Sequence, residues 1–322
     1  MTAEAEGQAP GLVPSSLPPI QRTALPEGSM AHHAWGEGPT LVLLHGFPDS
    51  PASFAALAPR LAAAGYRVLA PYLPGYGEST LPPPSDLLAA AGQLEQWLAA
   101  VAAPEPVVLV GHDWGSILAQ LLLARQRHTP RPACRIEAAV LAAVPPIRTF
   151  LRHLTPAQLW RSRYMLYLQL PGIVGWLQRR RLRYLARLWR RWSPMLPREE
   201  PARVAAQRLL SPAPTLEQAI GYYRSLLNPA HSGPRRWART LRLLLGRIEQ
   251  PVLVLAGSGD GCIGPGMFVG ARRDCPHPAS RQQWFGPCGH FMQLERPALV
   301  ADSINAFLDT ALPRQIVTAP GQ

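Results

Sequence analysis

Residues 111–116 read GHDWGS and follow the apolar run Val107-Val108-Leu109-Val110. A carboxylate, Asp113, thus stands at the centre of a small-x-x-x-small frame that usually presents a serine on a sharp strand-to-helix turn. The flanking positions must be small because strand and helix backbones crowd there, and Gly111 and Gly115 meet that need. In such a turn the backbone N–H of the next residue, here Trp114, joins an N–H from an earlier loop to form an oxyanion hole. HGFPDS (45–50) follows the run at 40–44 and offers Phe47 as that second donor. CGHFMQLERP (288–297) places His290 late in the chain as a base, and Asp260, closing PVLVLAGSGD, precedes it as the acid that orients it. VPPIRT, after the run at 136–144, holds no competing acid. A carboxylate nucleophile attacks saturated carbon and leaves an ester, which a histidine and water can hydrolyse. A serine at the same place would leave an ether that they could not cleave.

These groups need strands that end together. TLVLLHG (40–46), YRVLAPY (66–72), PVVLVGHD (106–113), IEAAVLAAV (136–144) and PVLVLAGSGD (251–260) each read as a buried parallel strand, with SRQQWF (280–285) as a last one. Helical stretches at 51–64, 86–102, 115–127 and 297–312 alternate with them. The alternation predicts an α/β chain with a doubly wound, mostly parallel sheet and helices on both faces. The rhythm stops at 145 and resumes at 251, and the interval is rich in Trp, Tyr, Arg and Pro. We read 146–246 as a helical cap inserted between two core parts, 21–145 and 247–322, over the strand ends where open α/β sheets bind ligands. Residues 1–20 lack apolar periodicity and read as a disordered tail.

Composition narrows the classes further. A chain of 322 residues with 47% hydrophobic content expects a sizeable core. There is no basic start followed by an apolar stretch, and no apolar run long enough for a membrane span, so the expected location is cytoplasmic. Cys134, Cys262, Cys275 and Cys288 show no paired spacing, so neither structural zinc nor another metal is expected, and no cofactor motif is present. Cys262 and Cys288 read as packing residues. His32 and His33 lie on an early strand, where neighbours face opposite ways, which argues against shared metal ligation. His45 reads as a support of the oxyanion loop. All 32 basic residues are arginine, and residues 146–246 hold 19 of them against Glu199, Glu200 and Glu217, so the interval carries +16 in a chain of net +12. Within it, QRRRLRYLARLWRRW (178–192) alternates Arg with Leu, Tyr and Trp. The simpler reading is a solvated cap face whose arginine stems cover apolar surface; the other is a helix on an anionic membrane. No nucleic-acid motif accompanies the charge, so nucleic acid is not an expected partner.

Together, HGFPDS, GYGES (75–79), GHDWG, the late Asp260 and CGHFMQLERP resemble the α/β-hydrolase epoxide hydrolases over about residues 25–312. The resemblance extends into the cap, where YMLYLQLPG (164–172) and YYRSLLN (222–228) are similar to that family's two tyrosine-bearing segments. It implies Tyr164 and Tyr223 as the donors to an epoxide oxygen, with Tyr167 and Tyr222 as neighbouring alternatives. The implied reaction opens a small lipophilic epoxide with water to a vicinal diol, without a cofactor. PYLPGYG, lacking the family's frequent Asp, and DGCIGPG after Asp260 depart from the pattern. Haloalkane dehalogenases share the Asp nucleophile and following Trp, but typically carry Asn where this chain has Phe47. Fluoroacetate dehalogenases usually have Arg at the position of Trp114. A non-catalytic binding protein on the same scaffold is the rival from another class.

Overall fold

The computed structural model describes residues 17–312. Eight strands form one sheet: β1 (Gln21–Leu25), β2 (Gly28–Trp35), β3 (Thr40–Leu44), β4 (Arg67–Pro71), β5 (Val107–His112), β6 (Ile136–Ala142), β7 (Val252–Gly257) and β8 (Arg281–Phe285). Their order is β1-β2-β4-β3-β5-β6-β7-β8. β1 and β2 pair antiparallel, as do β2 and β4, while β4, β3 and β5 to β8 run parallel. The sheet is therefore an α/β sheet of the expected kind, extended by an amino-terminal hairpin.

The central strands are apolar throughout because both faces are covered. Val42, Leu44, Leu109, Leu141 and Val254 belong to one core, with helices Leu87–Ala102 and Trp114–Arg127. Leu41, Leu43, Val110, Val140 and Leu255 belong to the other, with Leu61, Ile304 and Phe307 from helices Ala58–Ala63 and Pro297–Ala311. Successive strand residues alternate between the two cores, as the pleat requires.

Local chemistry shifts several boundaries. The stretch 51–64 is not one helix: Ser50 caps a short 3-10 turn, Pro51–Phe54, and an α-helix begins only at Ala58. β1, unmarked in the sequence by an apolar run, is mostly exposed and is held by backbone pairing to β2. The expected tail lies largely outside the described residues. Within 17–20, the Pro18 carbonyl accepts a hydrogen bond from His33 Nδ1 at 2.6 Å and Ile20 packs against the core. Among the described residues no helix is long and apolar enough to cross a membrane.

Helices from Ile147 to Leu244 interrupt the sheet between β6 and β7. Buried carboxylates of the core fasten both ends of this cap. Asp274 accepts Thr149 Oγ1 at 2.5 Å and Arg152 Nη2 at 3.0 Å. Asp86, which caps helix Leu87–Ala102 through Ala89 N–H at 2.8 Å, also accepts Arg236 Nη2 at 2.8 Å.

The turn after β5 is the tightest place in the fold. A Cβ on Gly111 would lie 2.3 Å from the Gly115 carbonyl oxygen, and one on Gly115 would lie 1.9 Å from that of Leu44. Such contacts are closed to any side chain. We expect Gly115→Ala to lower stability by about 2–3 kcal/mol or more, at the upper end for overpacking. Gly92→Ala, in a helix with nothing within 4 Å of the added carbon, should be neutral or stabilising by roughly 0.5–1 kcal/mol. Urea unfolding checks both, and equal midpoints would contradict the crowding described here.

Candidate active site

The crowding fixes Asp113. With glycine on either side, the chain turns from β5 into the helix through φ 52° and ψ −114° at Asp113, a conformation that a non-glycine residue adopts only under constraint. Its Oδ2 accepts the Phe47 N–H at 2.9 Å. Gly46 allows that approach, since a Cβ there would lie 2.5 Å from the same oxygen. Trp114 is the first residue of the helix, so its N–H has no partner within the helix and stands at the positive end of the helix dipole.

His290 lies in the loop after β8, wholly buried. Its Nδ1 bonds Asp260 Oδ2 at 2.8 Å, and its Nε2 stands 3.6 Å from Asp113 Oδ1. The other oxygen of Asp260 accepts the N–H groups of Cys262 (2.6 Å) and Ile263 (2.9 Å), which fixes the carboxylate in one orientation. Burial alone would lower the His290 pKa, but Asp260 and Asp113 outweigh it and raise the imidazole to about 10. Burial likewise works against the Asp113 carboxylate, and the proximity of His290, with His112 and the Phe47 N–H, overcomes it and lowers its pKa. His290 thus lies between two carboxylate side chains, each of which favours its protonated form.

Residues that the sequence did not single out hold this pair in place. His112 Nε2–H donates to the His290 carbonyl at 3.0 Å. Its Nδ1 faces Asp49, 3.6 Å away, which in turn accepts the Ser53 hydroxyl at 2.8 Å. The Trp192 carbonyl accepts the N–H groups of His290 (3.0 Å) and Gly261 (3.1 Å), and Ser193 Oγ accepts that of Phe291 (2.9 Å). Gln158, buried in the cap, bridges the Cys262 carbonyl and the Gly264 N–H, and Arg161 donates to the Asp260 carbonyl at 2.6 Å. Adjacency to Asp113 is a sequence signal for His112. Trp192 and Gln158 carry none, because they meet the Asp260 and His290 loops only through tertiary contact.

His45 acts as expected of a loop support. Leu73 N–H donates to its Nε2 at 3.2 Å and its Nδ1–H donates to Gly46 O at 3.0 Å, which requires the neutral ring. Burial lowers its pKa to about 4, consistent with that tautomer. His32 and His33 diverge, the first against Trp97 and the second toward Pro18 and Tyr72.

The cap brings two tyrosines over Asp113. Tyr223 packs edge-on against Trp114 and Phe47, with ring centroids 4.7 and 5.2 Å apart, and Tyr164 lies 5.7 Å from Tyr223. Burial first, and the Asp113 charge with it, push both phenols well above their ordinary pKa, so they remain donors. The Tyr223 hydroxyl is buried without a hydrogen-bond partner in the protein, whereas the Tyr164 hydroxyl lies 3.7 Å from Cys262 Sγ. Cys262 therefore touches the site as well as packing beneath it. Cys288 is buried in the second core. The alternative phenols are used elsewhere. Tyr222 donates to the Pro74 carbonyl at 2.9 Å, and Tyr167 is half-exposed beside Tyr184. Among the described residues no group of three or more His, Cys, Asp or Glu side chains could hold a metal ion.

Known proteins share this architecture. A family model described as the alpha/beta hydrolase fold matches residues 39–297. Epoxide hydrolase A of Mycobacterium tuberculosis is 30% identical over 307 residues, covering 84% of this chain and 90% of the relative. Bifunctional epoxide hydrolase 2 of Rattus norvegicus is 26% identical over 309 residues, covering 88% of this chain but 54% of the relative, so the chain spans about half the length of that protein. The structure of potato (Solanum tuberosum) epoxide hydrolase I shares the fold, with a TM-score of 0.70 at 23% identity, covering 91% of this chain and 99% of the potato chain. The chain belongs to the α/β-hydrolase fold family, as one of its epoxide hydrolase-like members.

Proposed function

We propose that this protein hydrolyses a lipophilic epoxide to a vicinal diol through an ester on Asp113. The observation that carries the reading is the pair of buried phenols, Tyr164 and Tyr223, above a carboxylate at the elbow. Opening an epoxide needs a nucleophile at carbon and a donor at the departing oxygen, and this arrangement supplies both.

Oδ2 of Asp113 is held by Phe47 N–H, which leaves Oδ1 to attack a ring carbon as the C–O bond breaks. The phenols hydrogen-bond the emerging alkoxide. The proton of the resting ion pair then ends on that oxygen, leaving a neutral His290 and a hydroxyalkyl ester. Loss of the Asp113 charge removes one of the two influences that raise the His290 pKa, so the first step prepares the base for the second. Neutral His290, oriented by Asp260, takes a proton from water as the water oxygen attacks Cγ of Asp113. The oxyanion forms on Oδ2, which the Phe47 amide already holds, with the Trp114 amide at the start of the helix as the second donor. Collapse expels the diol and restores the ion pair.

A single turnover in heavy-oxygen water should therefore give unlabelled diol, with the label in Asp113. A fully labelled diol in that first turnover would mean direct attack by water.

His290→Gln should form the ester and stall, because the carboxylate and the phenols still open the ring, with water supplying the alkoxide's proton in place of His290, while hydrolysis needs the base. Intact-mass measurement should show the protein plus one substrate. Steady turnover at the parent rate would remove His290 from the mechanism.

The two adjacent tyrosines separate stability from catalysis. Tyr223→Phe deletes a buried hydroxyl that has no protein partner, so the thermal midpoint should hold or rise. Tyr222→Phe strips the Pro74 carbonyl of its donor and should cost about 1–3 kcal/mol. Activity should follow the opposite order: Tyr223→Phe loses up to roughly 10²–10³ in the alkylation rate, and Tyr222→Phe keeps the rate of its folded fraction. Equal destabilisation by both changes would show that Tyr223 has a structural partner.

A further inference from the structure

The arginine-rich stretch takes on a different meaning once its helix is placed. Helix Arg183–Trp192 turns Leu185, Leu188, Trp189 and Trp192 inward, where Trp189 stacks on Phe291 with centroids 3.7 Å apart. Its apolar face is consumed by the protein, so it cannot lie on a membrane by itself. The exposed apolar groups come from the helices just before it. Leu159 (57%), Trp160 (65%), Leu166 (66%) and Leu170 (52%) project from Pro156–Ser162, Tyr164–Tyr167 and the turn that follows. Beside them Tyr167, Leu170, Trp176 and Tyr184, with Arg179 and Arg187, line an open groove of about 670 Å³.

We infer that this outer face of the cap docks on an anionic lipid surface. Charge and apolar groups meet here directly. The Arg163 guanidinium lies 4.1 Å from the centroid of the Trp160 ring, and that of Arg180 lies 5.5 Å from the Trp176 ring. Among the described residues no carboxylate pairs with Arg179, Arg180, Arg183, Arg187 or Arg190, all of them exposed. An exposed apolar patch of this kind marks an interaction surface. Its composition selects the partner. Aromatic rings settle at the headgroup level, leucines enter the acyl boundary, and free guanidinium groups meet lipid phosphates. Nucleic acid would use the arginines but leave Leu159, Leu166 and Leu170 in water. The helix Tyr164–Tyr167 joins the two sides of the cap, with Tyr164 over Asp113 and Leu166 and Tyr167 on the outer face. A lipophilic substrate dissolved in the bilayer would thus meet the protein at the segment next to its site.

The test is sedimentation of the full chain with vesicles, read independently of any enzymatic activity. Phosphatidylcholine vesicles containing phosphatidylglycerol should carry the protein down at low salt, and vesicles of phosphatidylcholine alone should not. Arg179→Gln, Arg180→Gln and Arg187→Gln should each weaken binding roughly fivefold. Leu159→Ser with Leu166→Ser should weaken it at low and high salt alike. Bromine-labelled acyl chains should quench part of the tryptophan fluorescence, and Trp160→Phe with Trp176→Phe should remove that part, which keeps the test independent of the serine variants. No sedimentation with the mixed vesicles, equal sedimentation with both lipids, or unchanged binding and quenching in the variants would each overturn the inference. Binding to an acidic protein in place of the mixed vesicles would overturn it as well.

Discussion

A buried imidazole held between two carboxylates is the interaction around which the rest of the molecule is arranged. Burying ionisable groups costs several kcal/mol for each one that is charged, and the cost is reduced where their remaining polar atoms find partners. Here the partners come from distant parts of the chain. Asp260 has His290 and two amides, Asp113 has Phe47, and the backbone of His290 is held at its N–H by Trp192 and at its carbonyl by His112. The strand ends of β3, β5, β7 and β8 are brought side by side by the parallel order of the sheet, which is why one charged cluster can draw on all of them.

The cap completes the site as well as covering it. Gly261 and Gly289 accept the end of helix Arg183–Trp192 so closely that an added Cβ would lie 1.9 Å from the Arg191 carbonyl oxygen and 2.7 Å from Ser193 Cα. Gln158 and Arg161 tie the Asp260 loop from another cap helix. Displacement of the cap would thus remove Tyr164 and Tyr223 and, at the same time, release the loops that carry His290 and Asp260. Asp274 and Asp86 resist that displacement at both ends, each buried and each holding a cap arginine.

What the sequence could reveal follows from how local each constraint is. The central strands were legible because burial on both faces leaves uninterrupted apolar runs, and the elbow because its crowding demands small residues: Gly111 against the Gly115 carbonyl a few residues on, and Gly115 against that of Leu44 in β3. β1 was not, since it is mostly exposed and depends on pairing with β2. The stretch 51–64 misled because a proline and a capping serine at its start favour a tight turn over a continuous helix. Trp192, Ser193 and Gln158 carry no local mark of their role. The arginine run showed its amphipathic period but not the direction of its apolar face, which is decided by Phe291 and Pro48 more than a hundred residues away.

Several unfavourable features lie within this small volume. Asp113 holds a positive φ, and the Tyr223 hydroxyl and His290 Nε2 are buried without a hydrogen-bond partner in the protein. Strain of this kind persists only where surrounding structure over-determines it. The surroundings here are rigid on both sides. Trp97, Leu109, Leu118 and Leu121 fill the core beneath the elbow, while Trp114, Tyr222, Tyr223 and Phe47 interlock above it through edge-on ring contacts. The same packing that stabilises the cap on the sheet thereby fixes the Tyr223 ring, and with it a buried hydroxyl without a hydrogen-bond partner in the protein.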